Sequence, residues 1–294
     1  MIIKNQNYLI IFKSWLIVLI CLIFIMIIVG GLTRLTNSGL SITEWELFSG
    51  IFPPFLDSTW EYYFSLYRSI PQFKLLNPEM NIDHFKIIFY WEYFHRLLGR
   101  LIGLIFLLPL IFFIIKKVIT IKHSINLCFI FFLICLQGII GWYMVKSGLT
   151  NNVTVSHYRL AIHLTLAFII MSLLYWNYLN LNNNNYKSFF LINVRNIMFR
   201  ILIVLILIQI IFGAFVSGLD AGKIYQTWPM MNSTYFPDDT NYKNLLSLLD
   251  FNNKGLVQFL HRNIAYFILL YIILVGFIIY KKNIIQVKRS YFYV

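Results

Sequence analysis

Six apolar runs divide the chain, at roughly 14–32, 94–115, 124–144, 160–179, 199–218 and 257–280. A helix crossing the hydrocarbon core of a bilayer needs about 20 predominantly apolar residues. Each run meets that length, so each predicts a membrane-spanning helix. Long polar and aromatic segments follow the first run (about 33–93) and the fifth (about 219–256), and the other connections are short. The expected fold class is an all-α integral membrane protein with about six transmembrane helices. Met1 to Lys13 holds two lysines, and no small-residue cleavage pattern follows the first run. That run therefore reads as a retained span rather than a signal peptide.

A partial repeat sets the expected domains. The first span ends in Gly30-Gly31 and runs into Ser38-Gly39-Leu40; the fifth contains Gly213 and runs into Ser217-Gly218-Leu219. Each is followed by a long segment leading into a helix with a His-Arg pair, His95-Arg96 or His261-Arg262. Two more spans follow the first pair, and the second of them carries His163. The repeat predicts a four-helix N-terminal half over 1–180. Residues 181–294 then hold the first two helices of a duplicated second half. Internal duplication of this kind is common in membrane folds.

Charge changes the picture by giving an orientation. The chain of 294 residues carries a formal net charge of +13, 12% charged residues and 60% hydrophobic ones. With an even number of spans both termini share a side. That side holds Lys4, Lys13, Lys116, Lys117, Lys122, Lys187, Arg195, Arg200, Lys281, Lys282, Lys288 and Arg289. All eleven acids fall on the other side: Glu44, Glu46, Asp57, Glu61, Glu79, Asp83, Glu92, Asp220, Asp238, Asp239 and Asp250. Cytoplasmic or matrix loops collect Lys and Arg. The termini are thus expected on the matrix or cytoplasmic side. Both long segments are expected on the outer side, folded over the helix ends by Trp45, Trp60, Trp91 and Trp228. The excess positive charge is topological, which removes the argument for a nucleic-acid partner and leaves the lipid bilayer. Cys21, Cys128 and Cys135 lie inside apolar runs with no ligand spacing, and read as small buried residues.

Three of six histidines, His95, His163 and His261, fall near the outer ends of apolar helices. Ionisable residues at membrane depth are rare and usually functional. Two imidazoles from different helices can hold a haem iron axially. The competing explanation is a histidine hydrogen-bonded to a neighbouring helix. Three at similar depth, two of them in matching repeat positions, favour haem ligation. Glu92 precedes His95 by three residues and so shares its helix face, one turn further out. There it can hydrogen-bond a substrate, move protons or pair with Arg96; an interfacial carboxylate is the plainer alternative. Arg96, Arg100, Arg159 and Arg262 cluster at the outer ends and suit haem propionates, or else lipid headgroups. His84 and His123 have no partner in the pattern and read as surface residues; His157, beside Arg159, reads as interfacial. Gly138 and Gly141 permit close helix approach or leave room for a flat ring. No P-loop, dinucleotide fingerprint, nucleophile triad or zinc spacing occurs, so the chemistry belongs to a cofactor.

The motifs resemble the haem A synthase family, in the cysteine-free mitochondrial and alphaproteobacterial type. The resemblance rests on Gly30 to Ser41, Trp91 to Arg100, Gln137 to Leu149, Ser156 to Leu164, Gly213 to Gly222, Thr227 to Met231 and Gln258 to Arg262. It implies oxidation of a ring methyl of haem O to a formyl group, making haem A for cytochrome c oxidase, with oxygen from water. It implies Glu92, His95 and His163 as catalytic residues in the N-terminal half. It implies His95, His163 and His261 as axial ligands of haem iron, haem b as cofactor and haem O as substrate. Arg96, Arg159 and Arg262 would bind the propionates. Haem O synthase and cytochrome oxidase assembly factors are implied partners, in a mitochondrial or bacterial inner membrane; a homo-oligomer is left open. The family's eight spans exceed the six seen here, and the second haem b ligand is missing. A truncated product, a second polypeptide supplying helices, or a differently ligated site would each account for that. A membrane b-type cytochrome for electron transfer, or a non-catalytic subunit, is the alternative function; Glu92 beside a ligand argues for the enzyme.

Overall fold

The structure is a computed structural model, and it describes residues 3–4, 6–45, 49–151, 153–182, 197–239 and 245–281. Lys187, Arg195, Lys282, Lys288, Arg289 and Glu46, used above for orientation, lie outside them. Among the described residues eight α-helices form: α1 (Leu9–Leu35), α2 (Asp57–Ser69), α3 (Pro71–Leu76), α4 (Ile82–Ile115), α5 (Ile121–Asn151), α6 (His157–Asn182), α7 (Ile197–Gly218) and α8 (Lys254–Lys281). Six of them, α1 and α4–α8, are long and apolar enough to cross a membrane. The chain divides into two units, Met1–Phe189 and Phe190–Val294.

In the first unit α1 packs on α4, α4 on α5, α5 on α6 and α6 back on α1, closing a four-helix ring. Its core joins Phe12, Leu16, Leu19 and Ile23 of α1 to Ile102, Phe106 and Phe113 of α4, Leu127 and Ile130 of α5, and Ile170 and Leu174 of α6. Large residues such as Leu108, Ile115 and Phe132 are exposed on the outside. A helix apolar all round is what a lipid solvent selects. Cys21, Cys128 and Cys135 belong to that outward surface and are exposed, not buried as expected: apolar runs in lipid place small residues outside as readily as inside.

Pro109 lies within α4. Proline has no N–H to give the carbonyl four residues earlier, which leaves Ile105 O without its helical donor. Trp15 Nε1 of α1 donates to that oxygen at 2.8 Å. A carbonyl that would be costly to leave bare in lipid becomes a joint between the two helices.

Helix α4 starts about a dozen residues before the apolar run. Asn81 caps it, its side chain accepting from His84 N at 2.9 Å, and Asp83 stands in the first turn. An Asn cap and an early acid both favour a helix N-terminus. The outer turns of α4 carry a cap of α2 and α3. Leu40, Ile42, Trp60, Phe64, Tyr67, Phe85, Phe89 and Tyr93 form its own apolar core. Pro71 separates α2 from α3, because the residue before a proline is pushed to extended geometry, and Ile70 has ψ 157°.

The second unit is the pair α7–α8 with its outer segment. Asn37 and Asp220, each seven residues after Gly30 and Gly213, both have φ 53°. The chain thus turns out of α1 and α7 through the same left-handed residue. Asn and Asp tolerate that region better than most side chains.

Candidate functional site

Each membrane histidine faces a glycine on the preceding spanning helix. A β-carbon at Gly30 of α1 would stand 3.1 Å from His95 Cε1 of α4. One at Gly141 of α5 would stand 3.1 Å from His163 Cε1 of α6, and one at Gly213 of α7 would stand 3.2 Å from His261 Cε1 of α8. The same glycine-to-histidine apposition thus occurs three times. Two copies lie in the first bundle, one joining α1 to α4 and one joining α5 to α6. The third lies in the second unit, which has no other histidine.

Nδ1 of His95, His163 and His261 is buried with no hydrogen-bond partner among the described residues. Burying a polar group without a bond is costly. Such groups mark a place where another group completes the bonding. Among the described residues no cluster of three or more His, Cys, Asp or Glu forms. Two buried imidazoles in one bundle, with no larger ligand cluster, would suit the iron of a haem. The glycines supply the clearance that the imidazole edges need. On these observations the residues fit a haem.

Glu92 and the cations do other work in this arrangement. Glu92 is 2% exposed. Its Oε1 accepts from Arg96 Nη2 at 2.6 Å and Nε at 3.0 Å. Its Oε2 accepts from Ser41 Oγ at 2.7 Å and from Ile42 N at 2.8 Å. Arg96 also donates to the carbonyls of Ile42 at 2.8 Å and Glu44 at 3.2 Å, and lies over the Trp45 ring. Glu92 and Arg96 therefore clamp the outer segment onto the His95 helix. Of the roles open to Glu92, pairing with Arg96 is the one seen. A carboxylate that binds a loop suits a cytochrome as well as an enzyme, so Glu92 loses its power to separate the two.

The second unit repeats the clamp without the carboxylate. Gln258 stands where Glu92 does, three residues before its histidine. Gln258 Nε2 donates to Tyr225 O at 2.8 Å. Arg262 donates to Tyr225 O at 2.7 Å and Thr227 O at 2.8 Å. Arg159 donates to Ser147 Oγ and lies over the Tyr143 ring. All three arginines expected at propionates thus have protein partners at the outer helix ends.

Of the remaining histidines, His84 is exposed. His123 is buried at 1% exposure, not on the surface as expected. It packs 5.9 Å from the Phe12 ring, centroid to centroid. The turn before it is pinned by the Ile3–Ile119 bridge and by Lys4 N donating to Val118 O. His157 is also buried, beside Tyr158. Two site residues escaped the sequence pattern, Gln137 as an individual residue and Gln209. Each precedes its glycine by four residues. Gln137 Nε2 donates to His163 O at 2.9 Å, and Gln209 Nε2 donates to His261 O at 3.2 Å. The signal that would have found them is the shared Gln-x-x-x-Gly spacing.

The profile described as cytochrome oxidase assembly protein, COX15-CtaA, matches residues 13–294. A protein named heme A synthase from Pelagibacter ubique is 49% identical over 284 residues, covering 96% of this chain and 83% of its own. Proteins of the same name from Parvibaculum lavamentivorans and Rickettsia bellii are 46% and 42% identical. They cover 88% and 86% of this chain, and 75% of their own length in each case. No solved structure matches. Six spanning helices, glycine-backed histidines and a match over nearly all of the sequence agree: the chain belongs to the COX15-CtaA family of cytochrome oxidase assembly proteins.

Proposed function

We propose that this chain is a haem A synthase, an oxidoreductase that converts a ring methyl of haem O to a formyl group. The reaction takes its oxygen from one water and releases four electrons to an external acceptor with four protons, two from the methyl carbon and two from the water. The observation that carries the proposal is that His95 and His163 lie in one four-helix unit, each backed by a glycine and each with an unpartnered buried Nδ1. The two imidazoles would hold the iron of haem O, which then supplies the redox chemistry that no side chain here offers. The protein's own part is to orient and enclose. Gly30 and Gly141 give the rings clearance, and the apolar walls of the bundle exclude water. Glu92 and Arg96 hold the outer segment closed above the pair, and Arg159 lies at the same end of the bundle to meet a propionate. His261 would hold a haem b in the second unit. The termini lie on the cytoplasmic or matrix side. Haem O would come from a haem O synthase, and the product would pass to cytochrome oxidase assembly.

The test is co-expression with a haem O synthase, followed by pigment extraction and chromatography. Hydroxylated and formyl haem should appear only when the chain is present. Accumulation of haem O alone, with the chain inserted in the membrane, overturns the proposal.

A further inference from the structure

The two ligands of the first bundle are not held alike. His163 is fixed from α5 at two points on one helix face. Gly141 meets the ring edge, and Gln137, one turn earlier, donates to the backbone carbonyl of His163 at 2.9 Å. The same two-point hold recurs in the second unit. There Gln209 reaches His261 O at 3.2 Å and lies 3.4 Å from His261 Nε2, with Gly213 against the ring. Among the described residues His95 has the glycine and no such amide. The residue four before Gly30 is Met26, which cannot donate; its Cε instead lies 3.1 Å from where a β-carbon on Gly99 would stand.

An amide that bonds the backbone of a ligand helix fixes that helix's rotation and rise. With Gly141 against the ring edge, it limits how the imidazole can move. Partners beyond the ligand set ligand orientation and tune the metal. The Oε1 atoms of Gln137 and Gln209 are buried with no partner among the described residues. Each glutamine leaves an acceptor bare in an apolar setting, where an isosteric leucine would not. Gln258 carries the same cost where its amide holds Tyr225 O, so in each case the bare acceptor accompanies an amide that pins a backbone carbonyl.

We infer, resting on the haem A synthase reading, that Gln137 is a positioning residue. It makes His163 the fixed ligand of the pair, and leaves His95 as the ligand that yields when haem O enters and product leaves. The polarity follows from one position, glutamine on α5 and methionine on α1.

Reciprocal substitutions test it, in the full chain purified from cells that also make haem O synthase. Gln137→Met installs the residue that α1 already carries at this place. It should broaden and shift the low-spin electron paramagnetic resonance signal of bound haem and slow product formation about 10-fold. Gln137→Glu keeps the shape and, as the neutral acid expected in this setting, keeps a donor; it should retain the native signal. Met26→Gln should leave the single-turnover rate near that of the parent but slow steady turnover, with product retained on the purified protein. An unchanged signal in Gln137→Met overturns the inference, as does equal loss in Gln137→Met and Gln137→Glu. Absence of formyl haem from the parent chain would instead overturn the function it rests on.

Discussion

Gly141 and His163 are built for each other: the imidazole edge occupies the space that any side chain on residue 141 would need, with 3.1 Å between a β-carbon there and Cε1. Gly138, one turn away on the same helix, has nothing within 4 Å of its own β-carbon position. The two glycines look alike in sequence and differ entirely in what they face.

That difference predicts unequal substitutions. Gly141→Val should displace His163 and reduce the formyl haem formed by at least about 10-fold, the scale on which support of a metal ligand acts. Gly138→Ala should leave it within about twofold of the parent, since surface changes away from such features are nearly neutral. Pigment chromatography on matched membrane preparations measures both.

The histidines themselves give a sharper test. His95→Ala and His163→Ala should each abolish hydroxylated and formyl products while the chain still inserts. Full activity in either variant removes that residue from the proposed pair. His84→Ala, exposed at the start of α4, should behave as the parent does.

Glu92 acts as a clamp here, and its loss has a structural signature. Removing one member of a buried ion pair costs about 3–5 kcal/mol, because the other charge is left unpaired. Arg96 is 11% exposed and would be stranded. Glu92→Ala should therefore increase protease cleavage within residues 37–81 as well as lowering activity. Loss of activity with unchanged cleavage would assign Glu92 to chemistry alone.

Tyr225 anchors the second outer segment. Its hydroxyl is shared between Asp238 at 2.8 Å and Asp239 at 3.1 Å. Burial first, then the bond to Asp238, raises its pKa above the ordinary 10.0. A raised acid keeps its proton in the folded state after the unfolded chain has lost it. The anchor's contribution is thus complete below pH about 10 and declines as pH rises above that. Hydrogen exchange at residues 225–239 should be flat from pH 7 to about 10, after correction for intrinsic rates, and accelerate beyond it. Tyr225→Phe, which cannot donate, should exchange faster throughout and lose the alkaline step.

Several features were legible because they follow from solvent alone. Apolar runs of sufficient length must be helices in lipid, and the six spans and the depth of the histidines came from that rule. The start of α4 at Ile82 was not legible. Asp83, His84, Lys86 and Glu92 mark the segment as polar, yet the helix continues through it, capped by Asn81 and covered by Trp60 and Phe64. His123 looked like a surface residue because its neighbours Lys122 and Ser124 are polar. Burial there depends on Phe12, more than a hundred residues away in sequence.

By itself the sequence determined the spans, the charge asymmetry and the repeat, since hydropathy and charge act residue by residue against a fixed solvent. The partners of Glu92, the glycine behind each ring and the glutamine behind His163 were decided only by tertiary structure. The glycine and glutamine contacts each join two helices, and Glu92 ties its helix to the outer segment; which faces meet is set by packing rather than by any pattern along one helix.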